Sequence, residues 1–321
     1  MGCAVGRGHS RMKPIYGISL VYGEKIAGKG GVDAVAGSAA GIDPTHQARL
    51  GLKDRYPLLV PLVRAGRLVL NQFRYPGLAT ALDLHGQVMA GPFKGLRLRC
   101  SGISFDYFEA LGVHEQCLYP VIEDVIARRP EVVINVGAAF GYYALGFARR
   151  LPGARVVAFE LDESRAAFIR RWAQRNGLGA RVSVRGLCTL EELQACLTLW
   201  PSAFVLMDIE GAEDALLDPE AAPGLRKAKI LVEVHENFVP GVTGRLKRRF
   251  EATHDIALVR HQPNQKLEDY GWADWLVRRY WDRVAAGEHD REMAWLHMRP
   301  KLGSSAHQGV HPKGAVPPDL S

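Results

Sequence analysis

Glu131 to Arg150 reads EVVINVGAAFGYYALGFARR, and this stretch decides the fold. Val132, Val133, Ile134 and Val136 are β-branched and almost uninterrupted, the pattern of a parallel strand buried on both faces. Gly137 and Gly141 bracket a short turn, and TyrTyrAlaLeuGlyPheAlaArgArg then follows as a helix. A glycine turn at this junction is expected to bring backbone N–H groups and a helix N-terminus against a ligand. The stretch therefore predicts a small-molecule crevice at the carboxyl end of a central strand.

The spacing of the glycines separates cofactor classes. A dinucleotide fingerprint reads GxGxxG, whereas this turn reads Gly-Ala-Ala-Phe-Gly, with Ala139 where the middle glycine belongs. A pyrophosphate is a poor guest, which argues against the rival reading of a dinucleotide-dependent oxidoreductase. S-adenosylmethionine (SAM), an amino acid joined to a nucleoside without phosphate, suits the turn better. A second strand, ARVVAFE, ends at Glu160, at the separation from Gly137 where doubly wound folds place a ribose-binding carboxylate. Asp162 and Ser164 open the next helix, Phe168, Ile169 and Trp172 form its buried stripe, and Asn176-Gly177 closes it. A third strand, RVSVRG, leads to Leu187 and Cys188, candidates for the adenine contact. Thr189 and Glu192 predict a capping box for a helix through Leu199.

The fourth strand, AFVLMD, ends at Asp208 and runs into IEGAED, setting Asp208, Glu210 and Glu213 beside the crevice. Glu213 and Asp214 also read as acids at the N-terminus of a short helix. A fifth strand, KILVEVHEN, brings Glu233, His235 and Glu236 to the same edge. His235 is the first candidate for a general base and Asp208 the second, with a structural histidine as the competing assignment for His235. Asp208, Glu210 and His235 also have ligand types that suit a divalent metal, but their spacing does not demand one, and no metal ligand is assigned. Upstream, Leu118, Val121, Ile122, Val125 and Ile126 recur at helical spacing before Pro130. Glu115 stands at the start of that helix, either as a dipole-stabilising acid or as a ligand contact. Thr243–Thr253 reads as a basic amphipathic helix, DIALVR as a sixth strand, Trp272, Trp275 and Tyr280 as a helix packed by aromatics, and MAWLHM as a last strand.

The flanks differ in texture. Residues 1–85 form a Gly-rich, irregular leader with helical patches between Tyr56 and Phe73. Its GEKIAGKGG matches a phosphate-binding loop except at the last position, where Gly30 replaces the Mg²⁺-binding Ser or Thr. Residues 86–300 form the main domain, entered through QVMAGPFKGLRLRC as a small β element, and 301–321 read as a disordered tail. Composition is ordinary for a soluble chain, at 47% hydrophobic and 23% charged, and no apolar run approaches the roughly 20 residues of a membrane helix. The net charge of +7 is scattered, so nucleic acid is not an expected partner. Cys3, Cys100, Cys117, Cys188 and Cys196 form no CxxC pair, and no secretory signal is evident, which together point to the cytoplasm.

NVGAAFGYY, AFE, MDIEGAE and LVEVH together resemble the FkbM family of SAM-dependent methyltransferases, from about Gly91 to Arg299. The resemblance implies a doubly wound, seven-stranded, Rossmann-like class I methyltransferase sheet in the α/β class. It implies SAM held by Asn135, Gly137, Ala139, Gly141, Tyr142, Glu160, Leu187, Cys188 and Asp208, with catalysis by His235, Asp208 and Glu210. It implies O-methylation of a small hydroxylated acceptor, a sugar or natural product. A departure is LGVHE where relatives often have L-G-T-Y-E, so Val113 and His114 replace a Thr-Tyr pair while Glu115 is kept. The rival outside enzymology is a SAM-fold binding subunit without catalysis.

Overall fold

The computed structural model describes residues 85–98, 107–260, 267, 269–279, 281 and 294–301. The leader, with its phosphate-loop-like stretch, and the tail beyond Lys301 lie outside the described residues, as do Cys3 and Cys100.

A seven-stranded sheet carries the fold, in the order β3-β2-β1-β4-β5-β7-β6. Its strands are β1 (Val132–Val136), β2 (Arg155–Phe159), β3 (Val182–Arg185), β4 (Ala203–Met207), β5 (Lys229–Glu233), β6 (His254–Arg260) and β7 (Ala294–Pro300). β1 to β5 run parallel, and β7 inserts antiparallel between β5 and β6. This is the Rossmann-like class I methyltransferase sheet that the sequence predicts.

Helices among the described residues include α1 (Tyr107–Leu111), α2 (Tyr119–Arg128), α3 (Tyr142–Arg150), α4 (Glu163–Arg175), α5 (Leu190–Leu199), α6 (Glu213–Leu216) and α7 (Val242–Phe250), with further helical residues at 274–279. Strand alternation divides the core in two. Val133, Leu206 and Leu231 face α2, α3 and α4, while Ile134, Val205 and Val232 face α5 and α7. Asp162 caps α4 by accepting from Ser164 N at 2.8 Å and Arg165 N at 3.1 Å, and Ile169 and Trp172 are buried in its stripe beside Ala166 and Ala173. The Thr189–Glu192 capping box forms as expected. The predicted helix after Glu115 begins as a 3₁₀ turn, Gln116–Leu118, and becomes α-helical only at Tyr119, because Pro120 is tolerated in a first turn where its missing N–H has no partner to lose.

Two expectations change. The segment from Gln87 makes a single antiparallel bridge, to Arg97, and otherwise a tight loop that drives Phe93 against Tyr142, Tyr143 and Phe147. Its loop crosses the turn after α1 so closely that a Cβ at Gly112 would stand 1.9 Å from the Ala90 oxygen. The aromatic helix is the second change. Trp272 and Trp275 are 61% and 65% exposed, and Tyr270, Ala273, Leu276 and Val277 supply the buried side instead. The buried side of this segment mixes Tyr270 with small and aliphatic residues, while Trp272 and Trp275 fall on the opposite face.

His254 opens β6 with its ring buried. Nε2 lies 2.9 Å from the Ala228 carbonyl and Nδ1 2.8 Å from the Thr253 hydroxyl, an arrangement that suits the neutral ring with Nε2–H donating to Ala228. Burial holds its pKa below the usual histidine value, outweighing the raising pull of Ala228. In the unfolded chain the group accepts a proton near its ordinary pKa of about 6.5, so the stability it contributes is present above that pH and is lost as pH falls below it. Urea midpoints are expected to fall between about pH 7.5 and pH 5.5, and to fall less in His254→Gln, which keeps a donor for Ala228. Burial also lowers His297, so the single variant removes only part of the slope. Equal slopes in parent and variant would contradict the assignment.

Candidate active site

The site begins where β1 ends. Gly137 (φ +79°) turns the chain over the end of β4, where a Cβ would stand 1.8 Å from the Asp208 carbonyl oxygen. Only a residue without a side chain fits there. Ala139 (φ +47°) and Gly141 (φ +84°) are also left-handed, and a Cβ at Gly141 would press on Ile169 of α4. The turn's N–H groups have a different destination from the one expected. Gly137 and Ala138 donate to the Phe159 carbonyl at 3.0 and 2.9 Å, Ala139 to Glu160 Oε2 at 2.7 Å, and Gly141 to Ala138 at 2.7 Å. Three of these donors bind the turn to Phe159 and Glu160 at the end of β2, and the fourth closes the turn on itself, so these four amides do not form a phosphate cradle.

Glu160 stands at the end of β2 and is nearly buried. Its Oε1 accepts from Asp162 N at 2.9 Å and its Oε2 from Ala139 N, which fixes the carboxylate and leaves each oxygen a second lone pair. Burial raises its pKa, against the lowering effect of the Asp162 and Ala139 N–H groups and Arg165. Asn135, on β1, is buried, and neither its Oδ1 nor its Nδ2 has a hydrogen-bond partner among the described residues. The Tyr142 hydroxyl at the start of α3 is likewise buried and unpartnered among them, while its ring packs edge-on against Phe93 and His114. Leu187 is half-buried. Cys188 lies in the core cluster with Leu193 and Cys196, where burial raises its thiol pKa.

The second half of the site is the edge formed by β4 and β5. Beyond Met207 the chain enters Asp208, then reverses through Glu210 (φ +54°) and Gly211 (φ +113°). The reversal folds Glu213 back under its own loop, fully buried, where it accepts from Ile209 N at 3.3 Å and Gly211 N at 3.0 Å. Glu213 Oε1 also lies 2.8 Å from His235 Nδ1. A carboxylate can only accept, so Nδ1 carries the proton and Nε2 faces the other way. There Nε2 lies 3.6 Å from Asp208 Oδ1 and 3.5 Å from Glu233 Oε2. Glu210 sits exposed at the lip, and Glu236 leaves the edge altogether to cap α7, accepting from Gly241 N at 2.7 Å and Thr243 N at 2.8 Å. The expectation that Glu236 joins the strand edge is thus corrected: the chain leaves the sheet after His235, and Glu236 meets the amides that open the next helix.

Burial and then the charge of Asp208 push the Glu233 carboxyl well up. Burial raises Asp208 too, against the lowering effects of a hydrogen bond with Glu233 and the charge of His235. For His235 burial works downward, but the hydrogen bond and charge of Glu213, with Asp208 and Glu210, leave it raised.

Glu115 completes the buried polar group. Its backbone is left-handed (φ +47°), and its side chain points inward instead of capping the helix at the surface. It accepts from the Tyr143 hydroxyl and, at 3.1 Å, from Trp295 Nε1, with His114 Nε2 at 3.4 Å. Burial raises its pKa to about 7, against these two donors. Sequence reading places Glu233 at this edge without a role, and sets Glu213 beside the crevice with a helix-dipole role as the alternative, without its bond to His235. The i, i+2 spacing of Glu233 and His235 at a strand end was the available signal. For Tyr143 and Trp295 no local signal existed.

No protein-family model matches the chain, and no curated protein matches it. Among solved structures, the chain is similar to an O-methyltransferase from Bacillus cereus in complex with SAH, at 18% identity over 55% of this chain and 77% of that one, with a TM-score of 0.37. It is similar to the O-methyltransferase TomG from Streptomyces achromogenes in complex with SAM, at 18% identity over 43% and 70% of the two chains, with a TM-score of 0.34. A B. subtilis tRNA methyltransferase, TrmK, matches at 13% identity over 55% and 63%, with a TM-score of 0.35. The fold assignment rests on the strand order of the sheet itself.

Gly137→Ala is expected to cost more than about 2 kcal/mol in urea unfolding, from combined clash and left-handed strain. Gly153→Ala, where no atom lies within 4 Å of the added Cβ, is expected to change little. Equal stability of the two variants would show that the turn does not need its close approach.

Proposed function

We propose that the chain is a SAM-dependent O-methyltransferase of FkbM type, with residues 86–300 as its catalytic domain, acting in the cytoplasm on a small hydroxylated acceptor. One observation carries the reading: the turn at Gly137, tied to Glu160 through Ala139 N, meets the edge of Asp208, Glu233 and His235 at the Gly137–Asp208 contact. A cofactor without phosphate fits beside that turn, because the amides of the turn are already bonded to Phe159, Glu160 and Ala138. The unpartnered polar atoms of Asn135 and Tyr142 fit it as well, since buried amide and hydroxyl groups are normally hydrogen-bonded.

In this reading Glu160 accepts from the ribose hydroxyls through its free lone pairs, and Gly137, Ala139 and Gly141 let the amino-acid part pass close to the backbone. Leu187 and Cys188 border the adenine. Bound SAM supplies an electrophilic methyl group. The protein's main task is to hold the acceptor oxygen in line with it, and positioning of this kind supplies up to roughly 7–11 kcal/mol in well-oriented intramolecular reactions. Drawing off the hydroxyl proton adds about 10²–10⁴-fold. That falls to His235, whose ring Glu213 orients, with Asp208 beside it and Glu210 at the lip. The acidic side chains Asp208 and Glu210 at this edge disfavour a polyanionic acceptor, in keeping with a small molecule in place of a nucleic acid.

Calorimetric titration with SAM and with NAD tests the reading. Micromolar SAM binding is expected, weakened tenfold or more (about 1.4 kcal/mol) in Glu160→Gln, with no NAD binding. His235→Ala is expected to keep its SAM affinity and to lose at least about a hundredfold in methyl transfer from labelled SAM to hydroxylated acceptors. Folded protein that binds NAD and not SAM would sink the proposal. SAM binding without transfer to any acceptor would favour a binding subunit.

A further inference from the structure

The edge of β4 and β5 holds more than a base. We propose that Asp208, Glu233 and His235 form a binding site for a divalent transition-metal cation, with its remaining positions open toward the crevice. The inference deepens the role of this edge in methyl transfer and rests on that reading for its purpose, while the site itself stands on geometry.

One ligand atom from each of the three side chains lies within 4.8 Å of the others. The two separations involving the imidazole are 3.6 Å to Asp208 Oδ1 and 3.5 Å to Glu233 Oε2. Metal–ligand bonds of about 2.0–2.2 Å in a tetrahedral arrangement set ligand atoms roughly 3.3–3.6 Å apart, so the two separations at the imidazole are those of ligands around one ion. A direct hydrogen bond would instead draw nitrogen and oxygen to about 2.9 Å.

A second observation concerns orientation. Histidines that bind metal donate their other ring N–H to a carboxylate, which fixes the tautomer and turns the free lone pair toward the ion. Glu213 does this for His235, from a position of complete burial and itself held by Ile209 N and Gly211 N. Evidence for a missing partner comes from Asp208 Oδ1, which is buried and accepts no hydrogen bond among the described residues, although the carboxyl as a whole is hydrogen-bonded to Glu233. A buried carboxylate oxygen aimed at an imidazole lone pair and a second carboxyl calls for a positive partner.

The ligand set selects the ion. Two carboxylates with one imidazole suit Zn²⁺, Mn²⁺, Fe²⁺ or Co²⁺ better than Ca²⁺ or Mg²⁺, which favour all-oxygen sites. Glu210, the acid that sequence reading grouped with Asp208 and His235, lies outside the set. An ion held here would bind the acceptor through its oxygens and lower the pKa of the hydroxyl. The hydroxyl proton would then pass to solvent water, and His235, its Nε2 lone pair committed to the ion, would act as a ligand in place of its role as base. The acceptor class this favours is a vicinal diol or another pair of adjacent oxygens, able to take two open positions.

The test uses the full chain freed of metal, titrated with Zn²⁺ alone by calorimetry and with Co²⁺ alone by visible absorption. One-to-one binding with a micromolar Kd or tighter is expected, with a Co²⁺ spectrum of low coordination number. Glu233→Gln and His235→Asn are each expected to weaken binding tenfold or more, while Glu210→Gln changes it less than threefold. Circular dichroism establishes that each variant is folded. Binding weaker than millimolar, or binding that Glu233→Gln leaves unchanged, would overturn the site. SAM titrations on the same samples separate the two claims: metal bound without SAM refutes the methyltransferase reading alone, and SAM bound without metal refutes the metal site alone.

Discussion

Two strand ends meet without room for a side chain between them. Gly137 passes over the carbonyl of Asp208, and the next rung of the ladder, Asp208 N to Val136 O at 3.0 Å, fixes the approach. The consequences run in both directions along the sheet. On the β2 side the turn is tied to Phe159 and Glu160, so the crevice has a fixed floor. On the β5 side Asp208 is held where His235 and Glu233 reach it. Crevice and acidic edge therefore share one wall, and neither can shift without the other.

Around that wall the fold accepts an unusual electrostatic load. Glu115, Glu213 and Glu233 are buried, Asp208 is half-buried, and the histidines there are few. A buried carboxyl is tolerable only when donors meet it. Glu213 takes two backbone N–H groups and an imidazole, and Glu115 takes a tyrosine and a tryptophan. Among the described residues Asp208 and Glu233 have no comparable set of donors, and they meet at the β4–β5 edge beside His235. Titratable groups perturbed by burial and by one another are characteristic of functional sites, because a fold selected for stability alone has simpler ways to fill that volume.

Much of this was legible in the sequence. The β-branched run before Gly137 gave a buried parallel strand because no amphipathic pattern competes with it, and Asp162, Thr189 and Glu192 marked helix starts through local hydrogen bonds that depend on few neighbours. Glu160, Asp208 and His235 were readable because strand ends at a sheet's carboxyl edge converge in every fold of this type. What escaped depends on contacts distant in sequence. The exposure of Trp272 and Trp275 follows from which face of their helix meets Met89 and Leu111, and periodicity does not choose between two apolar faces. Glu213 looked like a helix-opening acid because its true partners, the loop amides and His235, come together only after the chain reverses at Gly211. The destination of the turn's N–H groups could not be read at all, since it is set by the carbonyl of Phe159 on a neighbouring strand.

The insertion of β7 between β5 and β6 has a consequence for how the molecule comes into being. Trp295 pairs with Glu233 across the sheet and donates to Glu115, 180 residues earlier in the chain. A ribosome releases the glycine turn, Glu160 and the β4–β5 edge long before it releases that indole. Until it does, Glu115 lacks one of its two donors and β5 is an open edge beside a group of buried acids. Contacts of such long range come late and slowly in folding, because loop closure must precede them. The polar centre is therefore assembled last, by the final strand, and an incomplete chain does not carry a half-formed site so much as an unpaired strand exposed to aggregation.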